Sequence, residues 1–206
     1  MKRHRLNVFV NVPFDDDYAP LFDALIFTIT ACGYRVRCAL EETDSGDIRL
    51  DKLVRMIAAS PRSIHDLSRT ELGENELPRF NMPFELGMSL GAKRFGGRSH
   101  RADKIKIMVA EPYKLPAYVS DLGGSDPDAH HADPLKLVRL VRNFLEVSPT
   151  GAPLAGPAKL IDTFALFIAE LPALAKEIEH RPQEIGGFKS YRTYLWCVAE
   201  FLKRAT

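Results

Sequence analysis

The residues of this chain that could do chemistry are acidic side chains that recur where predicted strands end. In chain order they are Asp15 to Asp17, Glu41, Glu42, Asp66 and Glu111. In an open parallel sheet, ligands bind outside the carboxyl ends of the strands, so these carboxylates would share one cleft. Carboxylates that converge raise one another's pKa and suit general acid–base or nucleophilic catalysis. The pattern therefore predicts an acidic ligand site at one edge of a sheet.

Glu85 is the most unusual of the acidic residues because it is the only charge between Met82 and Ala92. Asn81 is a good N-cap and Pro83 suits a first helical turn, so we expect a helix to begin here. The sides of that helix are apolar or small, which predicts that it is largely buried. A buried carboxylate is costly unless something binds or uses it. We therefore expect Glu85 to reach the same sheet edge.

Each candidate also has a purely structural alternative. Residues 15–17 could cap the first helix, and Glu41 and Glu42 could be solvated loop charges. Glu85 could close a capping box by accepting a hydrogen bond from the N-cap amide, where its charge would also suit the helix dipole. For His65, a satisfied core histidine is favoured over a ligand. The sequence alone does not decide whether these acidic residues form a ligand site or have purely structural roles.

Several familiar site motifs are missing. No Gly-x-Gly-x-x-Gly follows the first predicted strand, and no Gly-x-x-x-x-Gly-Lys-Ser/Thr is present, so Rossmann-type dinucleotide binding and P-loop chemistry are unsupported. Residues 87–91 match Gly-x-Ser-x-Gly, but inside a predicted helix instead of a strand-to-helix turn. The three cysteines and the loop histidines lack the spacing of metal ligands, so we predict no metal.

Strand-like and helix-like segments alternate over the first 145 or so residues. The predicted strands are 6–12, 36–40, 62–68, 104–110 and a short fifth at 118–120. Amphipathic helical stripes lie between most of them, with a further helix over 135–145. This alternation predicts an α/β fold, a flavodoxin-like or Rossmann-like mainly parallel sheet flanked by helices, with right-handed crossovers.

The domain organisation follows from a change in composition after the last of these segments. We predict an α/β domain over 1–147, a linker rich in proline and glycine over 148–157, and a C-terminal helical extension over 158–206. The extension holds two strongly apolar helices, which cannot bury much surface alone. It should pack either on the α/β domain or on a second subunit, and in the second case the protein would form a homo-oligomer through these helices.

Composition and charge indicate which partners the protein binds and in which cellular compartment it lies. The chain has 206 residues, 28 Lys+Arg and 27 Asp+Glu, so its charge predicts no direct nucleic-acid or membrane binding. It has no signal-peptide pattern and no apolar run of the roughly 18 residues that a membrane span needs. Two of the cysteines lie in apolar periodic segments, as reduced core cysteines do. We predict a cytoplasmic protein.

Three short motifs resemble those of the nucleoside 2-deoxyribosyltransferase-like group. They are Pro-Phe-Asp at 13–15 after the first strand, Asp66 at the end of the third, and Phe-Glu-Leu-Gly at 84–87 opening a helix. TIR-like domains, a related flavodoxin-like fold, also place a glutamate on the helix after the third strand. The resemblance covers about residues 6–110. The segment 78–83 departs from the transferases' usual lead into the glutamate, which indicates a separate bacterial branch.

The resemblance implies a role for several residues. Glu85 matches the nucleophile that attacks the anomeric carbon of a nucleoside in the transferases, and Asp66 matches the residue that assists the base. Phe14 and Asp15 match the turn that binds the sugar, and Asn81 stands where a polar sugar contact is expected. The implied activity is cleavage or transfer at the N-glycosidic bond of a nucleoside, nucleotide or NAD, with no metal and no cofactor.

The residue types fit that chemistry. Breaking an N-glycosidic bond develops oxocarbenium character at the sugar, which a nearby carboxylate stabilises or traps covalently. We favour an enzyme, either an N-glycosidase (a hydrolase) or a deoxyribosyltransferase-like transferase. One alternative is a non-catalytic nucleotide-sensing or protein-interaction module on the same fold. Another is a receiver-like phosphoacceptor domain, weakened because no Ser or Thr ends the fourth strand and no clear lysine follows the fifth.

Overall fold

The structure is a computed structural model that describes residues 4–69, 79–112, 117–122 and 124–205. The chain divides into two compact units. The first comprises Met1–Pro13 with Val36–His131, and the second comprises Phe14–Arg35 with Ala132–Thr206. The first unit contains the sheet with the helices that follow its second and third strands, and the second gathers the first helix of the chain with its C-terminal helices.

Five strands and seven α-helices make up the regular structure of the described residues. The strands are β1 (Asn7–Asn11), β2 (Arg35–Arg37), β3 (Arg62–Asp66), β4 (Lys104–Val109) and β5 (Asp128–Ala129). The helices are α1 (Ala19–Ala31), α2 (Arg49–Ala59), α3 (Asn81–Phe95), α4 (Arg98–Arg101), α5 (Pro134–Leu145), α6 (Pro157–Glu177) and α7 (Tyr191–Arg204). Short 3₁₀ helices lie at Asp16–Tyr18, Ala39–Glu41, Ala117–Leu122 and Pro182–Glu184.

The sheet has the strand order β2-β1-β3-β4-β5 and is parallel, which confirms the predicted α/β fold of the flavodoxin-like or Rossmann-like kind. The residues of β1 are all buried, as expected for a central parallel strand. The chain passes from β1 outward to β2 and then returns to β3 on the other side of β1. This reversal makes the carboxyl ends of β1 and β3 the topological switch point, where such sheets bind ligands.

Helix α3 is held in the first unit by two apolar contacts on different sides. Met82 and Leu86 belong to a cluster with Leu67 and two residues of β4. Met88 packs against a second cluster, formed by β1 and α2, whose members are Phe9, Leu53, Met56 and Ile57. Because α3 packs on β3 and β4 with one side and on α2 with another, its orientation at the switch point is fixed.

Two expectations about α3 are wrong. The helix begins at Asn81 with Phe80 as the N-cap, so Asn81 is the first helical residue and not the cap. The helix is also not buried all round, since Phe84 is 55% exposed and Phe95 is 87% exposed. Apolar composition alone did not distinguish the packed sides from the side that no other element covers.

The predicted strand at 118–120 is also wrong, since this segment is part of the 3₁₀ helix Ala117–Leu122. The fifth strand is instead the two-residue β5, whose Asp128 pairs with Met108 at the edge of the sheet. A two-residue strand has no alternation to read, so pairing with β4 alone defines it. The second strand ends at Arg37, short of the predicted residue 40, and a 3₁₀ helix follows it.

The second unit is helical and has an aromatic core. Helix α1 packs against α5, α6 and α7, and Phe27 of α1 contacts the rings of Phe164, Phe167 and Phe201. The apolar C-terminal helices thus bury their surface against α1 and each other. The predicted boundaries at 148 and 158 stay predictions. Within the described part of the chain, no helix is long and apolar enough to cross a membrane.

Candidate functional site

The candidate site is in the first unit, at the switch point where β1 and β3 end and α3 begins. Asn11, the last residue of β1, lies opposite His65 of β3. The side-chain nitrogen of Asn11 donates to the main-chain carbonyl of Met82 in α3 at 2.8 Å and contacts Nδ1 of His65 at 3.0 Å. Asn11 therefore ties the start of α3 to both strands.

His65 is neutral in this arrangement. An amide nitrogen can only donate, so Nδ1 of His65 is the acceptor from Asn11 and the ring proton is on Nε2. The ring is completely buried beside Phe9, and burial lowers the pKa of His65 to about 3. Nε2 has no hydrogen-bond partner among the described residues. The predicted core histidine is thus satisfied at one ring nitrogen only.

Glu85 follows the first turn of α3 and is only 6% exposed. None of the described residues forms a hydrogen bond with its carboxylate. Burial raises the pKa of Glu85 from 4.5 to about 7, and the positive charge of Arg49 partly opposes that rise. No side chain caps α3, so the capping-box alternative for Glu85 is wrong. The carboxylate is therefore buried, close to half-ionised at neutral pH and not used by the helix itself.

A cavity of about 220 Å³, the α2 cavity, lies along α2, the helix that packs on α3. Its apolar wall includes Leu53 and Met56 of the cluster that Met88 packs against, together with Ala39, which packs on the same cluster. Since Met88 lies one turn after Glu85, the cavity and the buried carboxylate share one region of the unit. The charged residues that line the cavity are Glu42, Asp47, Arg49 and Lys52.

Asp66, the last residue of β3, has no exposed surface. Its carboxylate accepts a hydrogen bond from the main-chain N–H of Ser68 at 2.9 Å. The other carboxylate oxygen lies 2.9 Å from Nε2 of His130, which follows β5 and is 1% exposed. The pair links the ends of β3 and β5, and the base-assisting role of Asp66 stays a prediction.

Two further predicted site residues, Phe14 and Asp15, follow β1 and belong to the second unit. Asp15 is the N-cap of the 3₁₀ helix Asp16–Tyr18, and its side chain accepts a hydrogen bond from Tyr18 N–H at 3.0 Å. Asp15 therefore caps this short 3₁₀ helix and not the first α-helix, whose N-cap is Tyr18 with no side-chain cap. Phe14 is 40% exposed and contacts the rings of Phe22 and Phe188 edge to face. The sugar-binding role of both residues stays a prediction.

Asn81 is exposed at the first position of α3. Its predicted sugar contact also stays a prediction, but its position at the switch point leaves its side chain accessible to a ligand. Of the five predicted site residues, the structure thus places Glu85, Asp66 and Asn81 in the first unit, near the ends of β1 and β3.

Two residues of the site were missed from the sequence. Asn11 was counted as part of an apolar strand, although a polar residue at the carboxyl end of a buried strand is itself a signal. Arg49 was not identified as a candidate at all. Its position, directly after an acidic loop and at the start of the helix that packs on α3, becomes informative only in three dimensions.

No group of three or more His, Cys, Asp or Glu residues in the described ranges could hold a metal ion. Comparison with known proteins adds no assignment, since no protein-family model and no curated protein matches the chain. Function therefore has to follow from the chemistry of the site itself.

Proposed function

We propose that this protein cleaves or transfers at the N-glycosidic bond of a nucleoside, nucleotide or NAD, with Glu85 as the nucleophile. The observation that supports this most is the Glu85 carboxylate itself. It is buried at a topological switch point, has no hydrogen-bond partner among the described residues, and has a pKa near neutrality. Keeping such a group costs stability, and perturbed carboxylates of this kind concentrate in functional sites.

The proposed reaction has two steps. An oxygen of ionised Glu85 bonds to the anomeric carbon as the carbon–nitrogen bond breaks, and the bonding electron pair leaves with the base. A nucleoside base takes up one proton from solvent as it leaves, whereas the nicotinamide of NAD leaves neutral and needs none. Water or a second base then attacks the same carbon and releases the carboxylate, which gives hydrolysis or transfer. Burial favours the reaction because a partly desolvated carboxylate stabilises the developing positive charge of the sugar more strongly than a hydrated one.

The raised pKa of Glu85 gives the proposed reaction a specific pH dependence. Only the ionised carboxylate can attack, and burial raises the pKa of Glu85 to about 7. The rate of base release should therefore rise with pH through about 7 and level off above it. An enzyme whose carboxylate had an ordinary pKa would already be at its plateau near pH 6.

The supporting residues have unequal roles in the proposal. Asn81 is exposed at the start of α3 and is available to bind a sugar hydroxyl. Asp66 has no exposed surface and is held by Ser68 and His130, so direct proton donation would require the substrate to reach a buried carboxylate. We propose that Asp66 mainly holds the end of β3 in place.

Product analysis tests the proposal. Wild-type protein is incubated with nucleosides, nucleoside monophosphates and NAD, and free base is separated by liquid chromatography. We expect base release that Glu85→Gln lowers by about three orders of magnitude or more. Glu170→Gln is a matched control, because Glu170 is an exposed glutamate of α6 outside the candidate site. Equal base release by wild type and Glu85→Gln, or none with any substrate, would contradict the proposal.

A second candidate is a non-catalytic nucleotide-sensing module. The burial of Asp66 favours it, because glycosidic cleavage commonly uses two carboxylates and only Glu85 of this pair has any exposed surface. A sensor should show a rise in melting temperature with nucleotide that wild type and Glu85→Gln share, without any release of base. Base release that depends on Glu85 would exclude this candidate.

A further inference from the structure

We infer that the substrate carries a phosphate group and that Arg49 binds this phosphate at the α2 cavity. The inference rests on the proposed function and narrows its substrate class from nucleosides in general to nucleotides. The phosphate could belong to a nucleoside monophosphate or to the pyrophosphate of a dinucleotide, and the experiment below separates these two sources.

The charged groups of the α2 cavity differ in what already binds them. The Asp47 carboxylate forms an ion pair with Arg55, and Arg37 forms one with Glu41 nearby. Arg49 is exposed and forms no ion pair or hydrogen bond with any described residue. A guanidinium group binds phosphate through two parallel hydrogen bonds, so an uncommitted arginine in a cavity wall is suited to this ligand.

Two other residues of the cavity wall are also suited to binding a phosphorylated sugar. The ammonium group of Lys52 donates to the main-chain carbonyl of Asp44 and has further protons to offer. Glu42 is the one acidic lining residue besides the paired Asp47, and a carboxylate accepts hydrogen bonds from sugar hydroxyls. The cavity thus offers cations for a phosphate and an acceptor for the sugar that bears it.

The charge interaction between Arg49 and Glu85 supports the same ligand. The two side chains are close enough for the charge of Arg49 to act on the carboxylate of Glu85. In a nucleoside 5′-phosphate, one sugar ring separates the phosphate from the anomeric carbon. A phosphate on Arg49 would therefore bring the anomeric carbon toward Glu85. The cavity, at about 220 Å³, is below the range of about 300–1,000 Å³ for whole drug-sized ligands, so it would hold only the phosphate and part of the sugar.

The first test compares each nucleoside whose base is released with its 5′-monophosphate and with NAD. Values of kcat/KM are measured for wild type and Arg49→Gln at pH 8.5, where Glu85 is ionised in both proteins. We expect the preference for the phosphorylated substrate over the nucleoside to fall by about 10- to 100-fold in Arg49→Gln, with partial recovery in Arg49→Lys. Arg98→Gln, which removes an exposed arginine of α4 outside the cavity wall, should keep the wild-type preference.

The high pH separates two effects of Arg49. Removing its charge also raises the pKa of Glu85, which slows every substrate alike near neutral pH. The ratio between phosphorylated and unphosphorylated substrates is free of this common effect. A drop in kcat/KM for the monophosphate and NAD together indicates a phosphate that both share, whereas a drop for NAD alone indicates recognition of a pyrophosphate.

A binding measurement keeps this inference separate from the proposed function. Glu85→Gln, with and without Arg49→Gln, is titrated with adenosine, AMP and pyrophosphate while the melting temperature is followed. We expect AMP to raise it more than adenosine does, and only when Arg49 is present. Wild-type preference for the unphosphorylated nucleoside, or phosphate binding that is unchanged by Arg49→Gln, would overturn the inference. Absence of base release alone would overturn only the proposed function.

Discussion

The energetic cost of the Glu85 carboxylate can be measured without any substrate. Burial raises its pKa from 4.5 to about 7, so the folded protein binds a proton there that the unfolded chain has already lost. Because the folded state holds more protons between these two pH values, its stability falls as pH rises through this window. At about 1.4 kcal/mol for each pH unit, the full loss above pH 7 is about 3 kcal/mol.

Glu85→Gln should remove this loss, since glutamine has nearly the same shape and never ionises. We expect the variant to equal wild type in free energy of unfolding near pH 4.5. By pH 8.5 it should be more stable by up to about 3 kcal/mol. Urea unfolding followed by circular dichroism at pH 4.5, 5.5, 6.5, 7.5 and 8.5 gives this difference directly.

Glu170→Gln is the matched control, because Glu170 is exposed on α6 and undergoes the same change in charge. Its difference from wild type should stay within about 0.5 kcal/mol at every pH. A difference between Glu85→Gln and wild type that is constant across the pH range would refute the claim that burial controls the ionisation of Glu85. Destabilisation by Glu85→Gln at pH 8.5 would show that the ionised carboxylate has a stabilising partner.

Two other predictions concern the residues around α3. Burial lowers the pKa of His65 from 6.5 to about 3, so the unfolded state binds more protons in that window and stability falls as pH drops below about 6.5. His65→Leu should be less stable at neutral pH but lose less stability between pH 6.5 and 4.5 than wild type in urea unfolding; an unchanged pH slope would contradict this. Asn11→Ala leaves the Met82 carbonyl and His65 Nδ1 without their buried donor and should cost about 2–4 kcal/mol by the same measurement. Asn81→Ala, at an exposed position, should cost less than about 0.5 kcal/mol, and equal losses for the two asparagines would refute the proposed link.

The sequence was sufficient for the fold class because its signal is local and repeated. β1 has an apolar centre, β4 alternates, and helical stripes separate the strands, so the pattern of a parallel sheet could be recognised without knowing any contact. It failed where pairing alone defines an element. β5 has only two residues and exists because Asp128 and Ala129 hydrogen-bond to β4, while the segment predicted to be a strand forms a 3₁₀ helix.

For the site, the sequence by itself singled out Glu85, because one charge among eleven otherwise uncharged residues is visible in the sequence. The structure shows that this carboxylate is buried, but the local pattern did not distinguish the packed sides of α3 from its exposed side. What surrounds the carboxylate depends on residues far apart in the chain. The α2 cavity, the charge of Arg49 and the Asn11–Met82–His65 contacts bring together segments separated by tens of residues. Only tertiary packing decides such neighbours, because no local spacing or propensity relates them.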